Sequence, residues 1–575
     1  MAHAPWRPHR MPSPSGAWPL WNAKATRSLE AQASTGHPVD GREVRSHPGP
    51  SLLERAGAAV ARLAVAVAPP GGSVWVLTGS GHNGGNGWVA ARRLQAAGLA
   101  PLVWEVQAAN STEARCAQQQ AVEAGLTVRP WPTRLGPGAH EALPTAPSQG
   151  LLIIDALLGL GARAPLLPPV AEAIGWINAC TQAHPDVRVL SVDLPSGLHP
   201  DTGARLLDTE GQACAVRAHH TLSVLTLKPG LYTHEAGDLV GEVWFDTLGV
   251  EPLTPTPPHA PAAHLVPTEA LALLRSSRLQ PDGQARASGH KGSFGDVWLM
   301  GGAPGMVGAL RLASRAAVAA GAGRVHRVEL QSGFAPGPSE SREGRQEPPG
   351  LVDDLAPEVM TRTVSDLARA NLAPAVVVAG CGGGTRIAPL LPTLLSRAWR
   401  LVLDADALNA LAAEGTLWAR LQARPHHGAH TVLTPHPLEA ARMLGVTTAQ
   451  VQSDRLAAAQ HLADRSGATV VLKGAGTVVA TPGQVPWINA SGNARLATGG
   501  TGDVLAGWIA GAWASTHAER TSVHDVVAAC VHLHGKAADR LEGETGQSRS
   551  LVLPASELIT EMSRELMRTG HGHQP

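Results

Sequence analysis

The first half of the chain alternates short apolar runs with amphipathic stretches. Ser73 to Thr78 is an apolar run that predicts a strand, and Trp88 to Ala97 has the spacing of an amphipathic helix closed by Gly98. Pro101 to Val106, Leu151 to Ile154, Val189 to Val192, Leu222 to Leu227 and Val243 to Phe245 predict further strands. Strand, crossover helix, strand is the pattern of a parallel sheet, whose ligands collect beyond the carboxyl ends of its strands. Asp155 and Asp193 each follow such a run, so both are expected at that edge.

The second half repeats the style with different punctuation. Val297 to Met300 leads into Gly301-Gly302, Val376 to Ala379 into Gly380-Cys-Gly-Gly-Gly384, and Leu401 to Leu403 into Asp404-Ala-Asp406. Thr431 to Leu433 leads into Thr434-Pro-His436-Pro437, and Val470 to Leu472 into Lys473-Gly-Ala-Gly-Thr477. Polar or glycine-rich steps after every strand are the layout of a site along one sheet edge. Gly308 to Ala322 predicts a small-residue helix able to pack closely on a sheet. Between the halves, prolines at 252, 255, 257, 258, 261 and 267 resist helix and sheet alike, so the chain is divided near residue 262. Gln331 to Gly350, rich in Pro, Gly, Ser and charge, reads as a solvated insertion, and no internal repeat is found.

At 575 residues the chain exceeds one hydrophobic core, and two large domains fit the punctuation. Lys plus Arg equals Asp plus Glu at 46 each, which leaves no global field to recruit nucleic acid or an anionic membrane. The longest apolar stretches, such as Leu151 to Leu160, fall well short of a span of ~20 residues. Five cysteines, odd in number and far apart, give neither a disulfide framework nor zinc spacing, so a reducing cytoplasm is expected. The first 20 residues lack an apolar signal core, and residues 1–19 and 566–575, with His571 and His573, are expected as tails. Only Lys24, Lys228, Lys291, Lys473 and Lys536 interrupt an arginine-dominated basic set; each is either a random survivor or a point charge that a guanidinium could not replace.

Two glycine runs, Thr78 to Gly87 and Leu496 to Asp503, precede helical patterns. Such runs let backbone N–H groups approach an anion at a helix start, or merely make a tight turn; neither is a Walker A sequence. Asp503 is then either a helix-cap aspartate or a base beside phosphate-binding amides. Asp404 and Asp406 either hold magnesium or cap a helix beginning at Ala407, and His436 between two prolines is, taken alone, structural.

Three segments, Asp155-Ala-Leu-Leu-Gly-Leu-Gly161, Val192-Asp193-Leu-Pro-Ser196-Gly197 and Leu227-Lys228-Pro-Gly230, join the first glycine run in a constellation that resembles the NAD(P)H-hydrate epimerase family, the YjeF N-terminal domain, over residues 20–250. The resemblance implies a Rossmann-like three-layer α/β domain in which Asn83, Asp155 and Ser196 bind K+. It also implies that His82, Asn83, Gly84, Gly85 and Asn86, the run Gly159, Leu160, Gly161, Ala162, Arg163, Ala164 and Pro165, and Asp193 line the site for the hydrated nicotinamide nucleotide. Asp193 is the expected acid/base. Two positions depart from the family's Asn-Asn-Gly-Gly-Asp-Gly: His82 replaces the first Asn and Asn86 replaces the Asp, removing a charge from the site.

His290-Lys-Gly-Ser-Phe-Gly295, Gly301-Gly302 with Gly308-Ala309, Leu403 to Asn409, Thr434 to Pro437, Lys473 to Thr477 and Asn493 to Gly507 stand in the order of the nucleotide-dependent NAD(P)H-hydrate dehydratases. That resemblance covers residues 265–565, with 251–264 as linker, and implies a ribokinase-like α/β domain. By it, Lys473, Gly474, Ala475, Gly476, Thr477 and Gly502 bind ADP or ATP with Mg2+, while Ala309, Gly384, His436 and Asp503 contact the hydrated cofactor, with Asp503 as the base. The family's Gly-Pro-Gly-Leu-Gly stands here as Gly380-Cys-Gly-Gly-Gly384. The expected function is therefore bifunctional repair of hydrated NADH and NADPH (NADHX and NADPHX): epimerisation of R and S forms, then dehydration of the S form. A small-molecule kinase carrying an inactive N-terminal nucleotide-binding scaffold is the alternative. Partners are expected to be these small molecules alone, with a homo-oligomer and the choice between ADP and ATP left open.

Overall fold

A parallel sheet forms in each half of the chain because apolar runs recur at crossover spacing. The computed structural model describes residues 9–10, 17–35, 50–132, 150–250, 260–275, 287–330, 356–516, 521–540 and 552–568. Two units emerge, with main bodies Trp18–His264 and Leu265–Pro575. Among the described residues no helix is long and apolar enough to cross a membrane.

In the first unit, β1 (Ser73–Thr78), β2 (Leu102–Glu105), β3 (Thr127–Pro130), β4 (Leu151–Ala156), β5 (Val187–Val192), β6 (His220–Val224) and β7 (Glu242–Asp246) pair in parallel in the order β7-β6-β5-β4-β1-β2-β3. Alternate residues go to opposite faces. Val74, Val76, Leu152 and Ile154 pack on the side of α1 (Ala23–Thr35), α2 (Leu52–Val67), α3 (His82–Ala96) and α4 (Thr112–Glu123), while Leu151, Ile153, Val187 and Val189 pack against α5 (Pro168–Ala183). The result is a three-layer α/β domain.

The helix expected from Trp88 begins six residues earlier, so the run Asn83 to Gly87 is helical rather than an open loop. The glycines serve close approach: a Cβ on Gly84 would stand 1.9 Å from the Gly79 carbonyl oxygen, and one on Gly87 would stand 2.7 Å from Ala156 Cβ. Two tail expectations are corrected. Trp18–Leu20 is a strand, with the Trp18 ring edge-on to Phe245 at 5.8 Å, and the last helix continues to Arg568, where the Leu566 carbonyl accepts from Arg275 Nε at 2.6 Å. Ala263–Leu265, which overlaps the end of the expected linker, is also a strand. The prolines at 252 to 258, the insertion at 331–350 and the histidines at 571 and 573 lie outside the described residues.

In the second unit, β8 (Asp296–Gly301), β9 (Arg324–Glu329), β10 (Val359–Arg362), β11 (Val376–Ala379), β12 (Arg400–Leu403), β13 (His430–Leu433), β14 (Thr469–Leu472), β15 (Thr477–Ala480) and β16 (Trp487–Asn489) follow the order β10-β9-β8-β11-β12-β13-β14-β15-β16. Pairing is parallel as far as β14 and antiparallel beyond it. The helices used below are α6 (Val307–Ala319), α7 (Asp406–Ala413), α8 (Pro437–Leu444), α9 (Arg455–Ser466), α10 (Thr501–Ser515) and α11 (Val523–Asp539). Helices α6 and α10 meet backbone to backbone: Cβ atoms on Gly507 and Gly511 would stand 2.0 Å from Ala313 O and 2.3 Å from Ala317 O.

Candidate active sites

In the first unit a cavity of about 960 Å³ is walled by His82, Asn83, Asn86, Gly159 to Arg163, Pro165 and Asp193. These predicted residues come together. Gly84, Gly85 and Ala164 are not among the walls, and Gly85 instead faces the Leu53 side chain.

Asp193 leaves β5 with φ 69°, a region that non-glycine residues adopt only when their surroundings hold them there. Its Oδ1 accepts from the Val224 N–H at 3.2 Å and pairs with Lys228 Nζ. Lys228 is fully buried and its ammonium also donates to Ser223 Oγ at 3.2 Å and the Val224 carbonyl at 2.9 Å. Residue-type reasoning had quoted Lys228 without a role, although lysine scarcity was the available signal.

Asp155, fully buried in β4, accepts from four donors: Ser196 Oγ at 2.6 Å, Ser191 Oγ at 2.8 Å, Ser196 N at 2.9 Å and Leu157 N at 3.3 Å. Burial raises its pKa, partly offset by these bonds. Four donors fill the acceptor capacity of a carboxylate. Asp155 therefore holds Ser196 and the Leu157–Leu158 turn in place beside Asn83. Asn83 Nδ2 lies 2.7 Å from Leu158 O and 3.1 Å from Val192 O. An amide rotated by half a turn would offer its oxygen at the same place. Carbonyl, amide and hydroxyl oxygens around one buried carboxylate fit a large monovalent cation.

His82 stands at the mouth, half exposed, with Nδ1 3.5 Å from Glu30 and Nε2 3.7 Å from Glu113. The hydrogen bond to Glu30 raises its pKa, with burial opposing.

In the second unit the strand ends converge on α10. Gly500, at φ 95°, starts the helix and makes no side-chain cap bond, so Asp503 lies inside the first turn and is no cap. A Cβ on Gly502 would lie 3.2 Å from Lys473 Nζ, and that ammonium is 2.8 Å from Asp404 Oδ1. Burial, and then the neighbouring Asp404, push the Asp503 carboxyl up to about 6; a hydrogen bond with Cys381 and the charge of Lys473 act against this. Burial opposes the Lys473 ammonium, but Asp404, Glu439 and Asp503 outweigh it and raise its pKa.

Asp404 also accepts from Thr434 Oγ1 at 2.8 Å, and Asp406 accepts the Gly384 N–H at 2.8 Å. Neither caps α7, whose cap position is Ala405 at φ 48°. Cys381, Asp404 and Asp503 place their ligand atoms within 4.8 Å of one another, with the Lys473 ammonium already on Asp404. Cys381 is a contact that residue typing missed, in the loop that departs from Gly-Pro-Gly-Leu-Gly.

Gly384 and Ala309 belong to the same wall. A Cβ on Gly384 would lie 3.3 Å from Met306 Cε, and one on Gly382 would lie 3.1 Å from Ala309 Cβ. His436 caps α8: Nδ1 accepts from Leu438 N at 3.1 Å and Glu439 N at 3.3 Å, and Glu439 Oε2 accepts the His436 N–H at 2.8 Å. Those bonds account for it structurally, while 46% of its side chain stays exposed.

The two halves match two families. Residues 297–561 match the NAD(P)H-hydrate dehydratase family, and residues 49–230 match the YjeF-related protein N-terminus. The chain is 33% identical over 520 residues to the bifunctional NAD(P)H-hydrate repair enzyme Nnr of Escherichia coli, covering 89% of this chain and 88% of that protein. It is 34% identical over 503 residues to the Coxiella burnetii enzyme of the same name, covering 86% and 91%. The ADP/ATP-dependent NAD(P)H-hydrate dehydratase of Bacillus subtilis, co-crystallised with ATP and Mg2+, aligns at 28% identity and TM-score 0.41 over 53% of this chain and 98% of that one. The chain belongs to the family of bifunctional NAD(P)H-hydrate repair enzymes, with a YjeF-type domain first and an NAD(P)H-hydrate dehydratase domain second.

Proposed function

We propose that the second domain dehydrates the S form of NADHX and NADPHX at the expense of ADP or ATP, and that the first domain converts the R form to S. Hydroxide is a poor leaving group, and phosphorylation makes it a good one. Asp503 takes the proton of the ring hydroxyl as its oxygen attacks the terminal phosphorus of the nucleotide. The nucleotide leaves one phosphate shorter. The ring nitrogen then expels phosphate, and loss of a ring proton restores the dihydronicotinamide. Lys473 meets the transferring phosphate, helped by the N–H groups at the start of α10 and by the Gly474 N–H. Mg2+, when bound with the nucleotide, neutralises phosphate charge. Ala309 and Gly384 form the wall against which the hydrated ring lies, and the exposed part of His436 faces the same site.

In the first domain, Asp193 takes the proton of the ring hydroxyl as the bond between the hydroxyl-bearing carbon and the ring nitrogen breaks, the carbon becoming an aldehyde and the nitrogen taking up a proton. Re-closure on the other face runs these transfers backwards, while Lys228 holds the Asp193 carboxylate in place. Asn83, Asp155 and Ser196 would hold K+, which would supply a fixed positive charge for the nucleotide.

The observation that carries the reading is one helix start where the Asp503 carboxyl, pushed up to about 6 by burial, shares the first turn with Gly502, against which the Lys473 ammonium stands. The test supplies the intact chain with separated R and S hydrates and each nucleotide in turn, following the dihydronicotinamide absorbance. S should be repaired with at least one nucleotide, and R after a lag set by the first domain. An S form left unrepaired by both nucleotides would refute it.

A further inference from the structure

Beneath the Lys473 to Thr477 loop lies a guanidinium that, among the described residues, no carboxylate balances. Arg455, the first residue of α9, is 1% exposed. Its NH2 donates to Leu472 O and to Lys473 O, both at 3.1 Å, and its NH1 donates to Gln452 Oε1 at 2.6 Å. All three acceptors are neutral, and Nε has no partner among the described residues. Burial alone brings the guanidinium down to about 10. Buried charges are ordinarily paired, because an isolated one loses several kcal/mol of hydration. A cation kept here without a counter-ion is suited to an anion that comes and goes.

The backbone shows how that cation acts on the loop. A trans peptide points its C=O and N–H in opposite directions. Lys473 O is turned down onto Arg455, so the Gly474 N–H of the same peptide is turned up, away from the guanidinium. No acceptor for the Gly474 N–H is present among the described residues, and Gly474 itself is exposed. The preceding amide is spoken for, since Lys473 N donates to Pro435 O at 2.9 Å. Gly474 stands at φ 131°, and a Cβ there would lie 3.1 Å from Arg455 NH2. A side chain at this position would press on the guanidinium from a backbone conformation that favours glycine.

We propose that Arg455 is a positioning residue for nucleotide phosphate: it draws the Leu472 and Lys473 carbonyls inward, aims the Gly474 N–H at the ligand, and adds an unneutralised positive charge beneath it. This rests on the nucleotide-site reading of the Lys473 loop and adds the residue that sets its polarity.

The test compares adenosine, AMP and ADP binding by calorimetry for the intact wild-type chain, Arg455→Met and Arg455→Lys. A phosphate-directed cation predicts a loss that grows with phosphate number in Arg455→Met, from under about twofold for adenosine to at least about tenfold for ADP. Arg455→Lys keeps the charge but not the two-carbonyl fork, so it should fall between wild type and Arg455→Met for ADP. Turnover at saturating ADP should change less than KM in both variants. Equal losses for adenosine, AMP and ADP would mean that Arg455 only stitches α9 to β14, and would overturn the proposal. Should Arg455→Met fail to fold, Arg455→Lys decides by the same gradient. A wild-type chain that binds adenosine and ADP equally would overturn the nucleotide reading, and this role with it.

Discussion

The elevated carboxyl of Asp503 ties activity and stability to pH in opposite ways. Its rise from 3.8 to about 6 is about two units, on the order of 3 kcal/mol in favour of the neutral form. As a base Asp503 must be ionised, so dehydration of the S form should fall below about pH 6 along a single-proton limb. Burial is the first cause of the rise and Asp404 the second. In Asp404→Asn that repulsion vanishes and Lys473 loses its 2.8 Å partner, leaving its ammonium to Asp503. The limb should therefore move to lower pH in Asp404→Asn, while Asp503→Asn should lose turnover by roughly 10²- to 10⁴-fold with nucleotide binding retained. Stability has the opposite sign. A carboxyl whose folded pKa lies above its unfolded value favours the fold below the unfolded value, and loses that contribution as pH rises from 3.8 through about 6. Asp503→Asn should thus raise Tm at neutral pH. The assay is initial rate across the acid limb for the three proteins, with thermal melts at both ends of it. A limb unmoved in Asp404→Asn, or turnover unchanged in Asp503→Asn, would refute the assignment.

Lys473→Arg keeps the charge but needs a planar partner where the ammonium now meets Asp404, so the nucleotide KM should rise; a KM equal to wild type would reduce Lys473 to a bystander. Asp155→Ala strands four hydrogen-bond donors, and epimerisation should lose its response to K+ while dehydration of added S form persists; equal loss of both activities would indicate general unfolding instead. Asn86→Asp restores the family's carboxylate to the cavity wall, and faster epimerisation at neutral pH, scored by separating the two epimers, is the expected outcome.

Legibility followed the range of the interactions. The strands were plain because apolar runs such as Leu151 to Ile154 are local, and Asp155 and Asp193 could be placed at their ends by counting. The onset of α3 was not, since the reason its glycines suit a helix lies in Gly79 and Ala156, on other elements. Lys228 meets Asp193 across 35 residues, and Arg455 meets Lys473 O across 18; composition marked the lysine as unusual but could not name its partner. His436 was doubtful as a site residue when taken alone, and its capping bonds explain why proline and glutamate surround it.

The seam between α6 and α10 has a mechanical consequence. Where Gly507 and Gly511 lay backbone on backbone there is no side-chain cushion to shear, so the helix that begins beside Asp503 and the helix that begins near Ala309 are coupled directly through their main chains. The starts of these two helices are thereby held at a fixed spacing, whatever the strand-end loops around them do. Enlarging either glycine should act as a wedge, spoiling the alignment of base and ring at a distance from both.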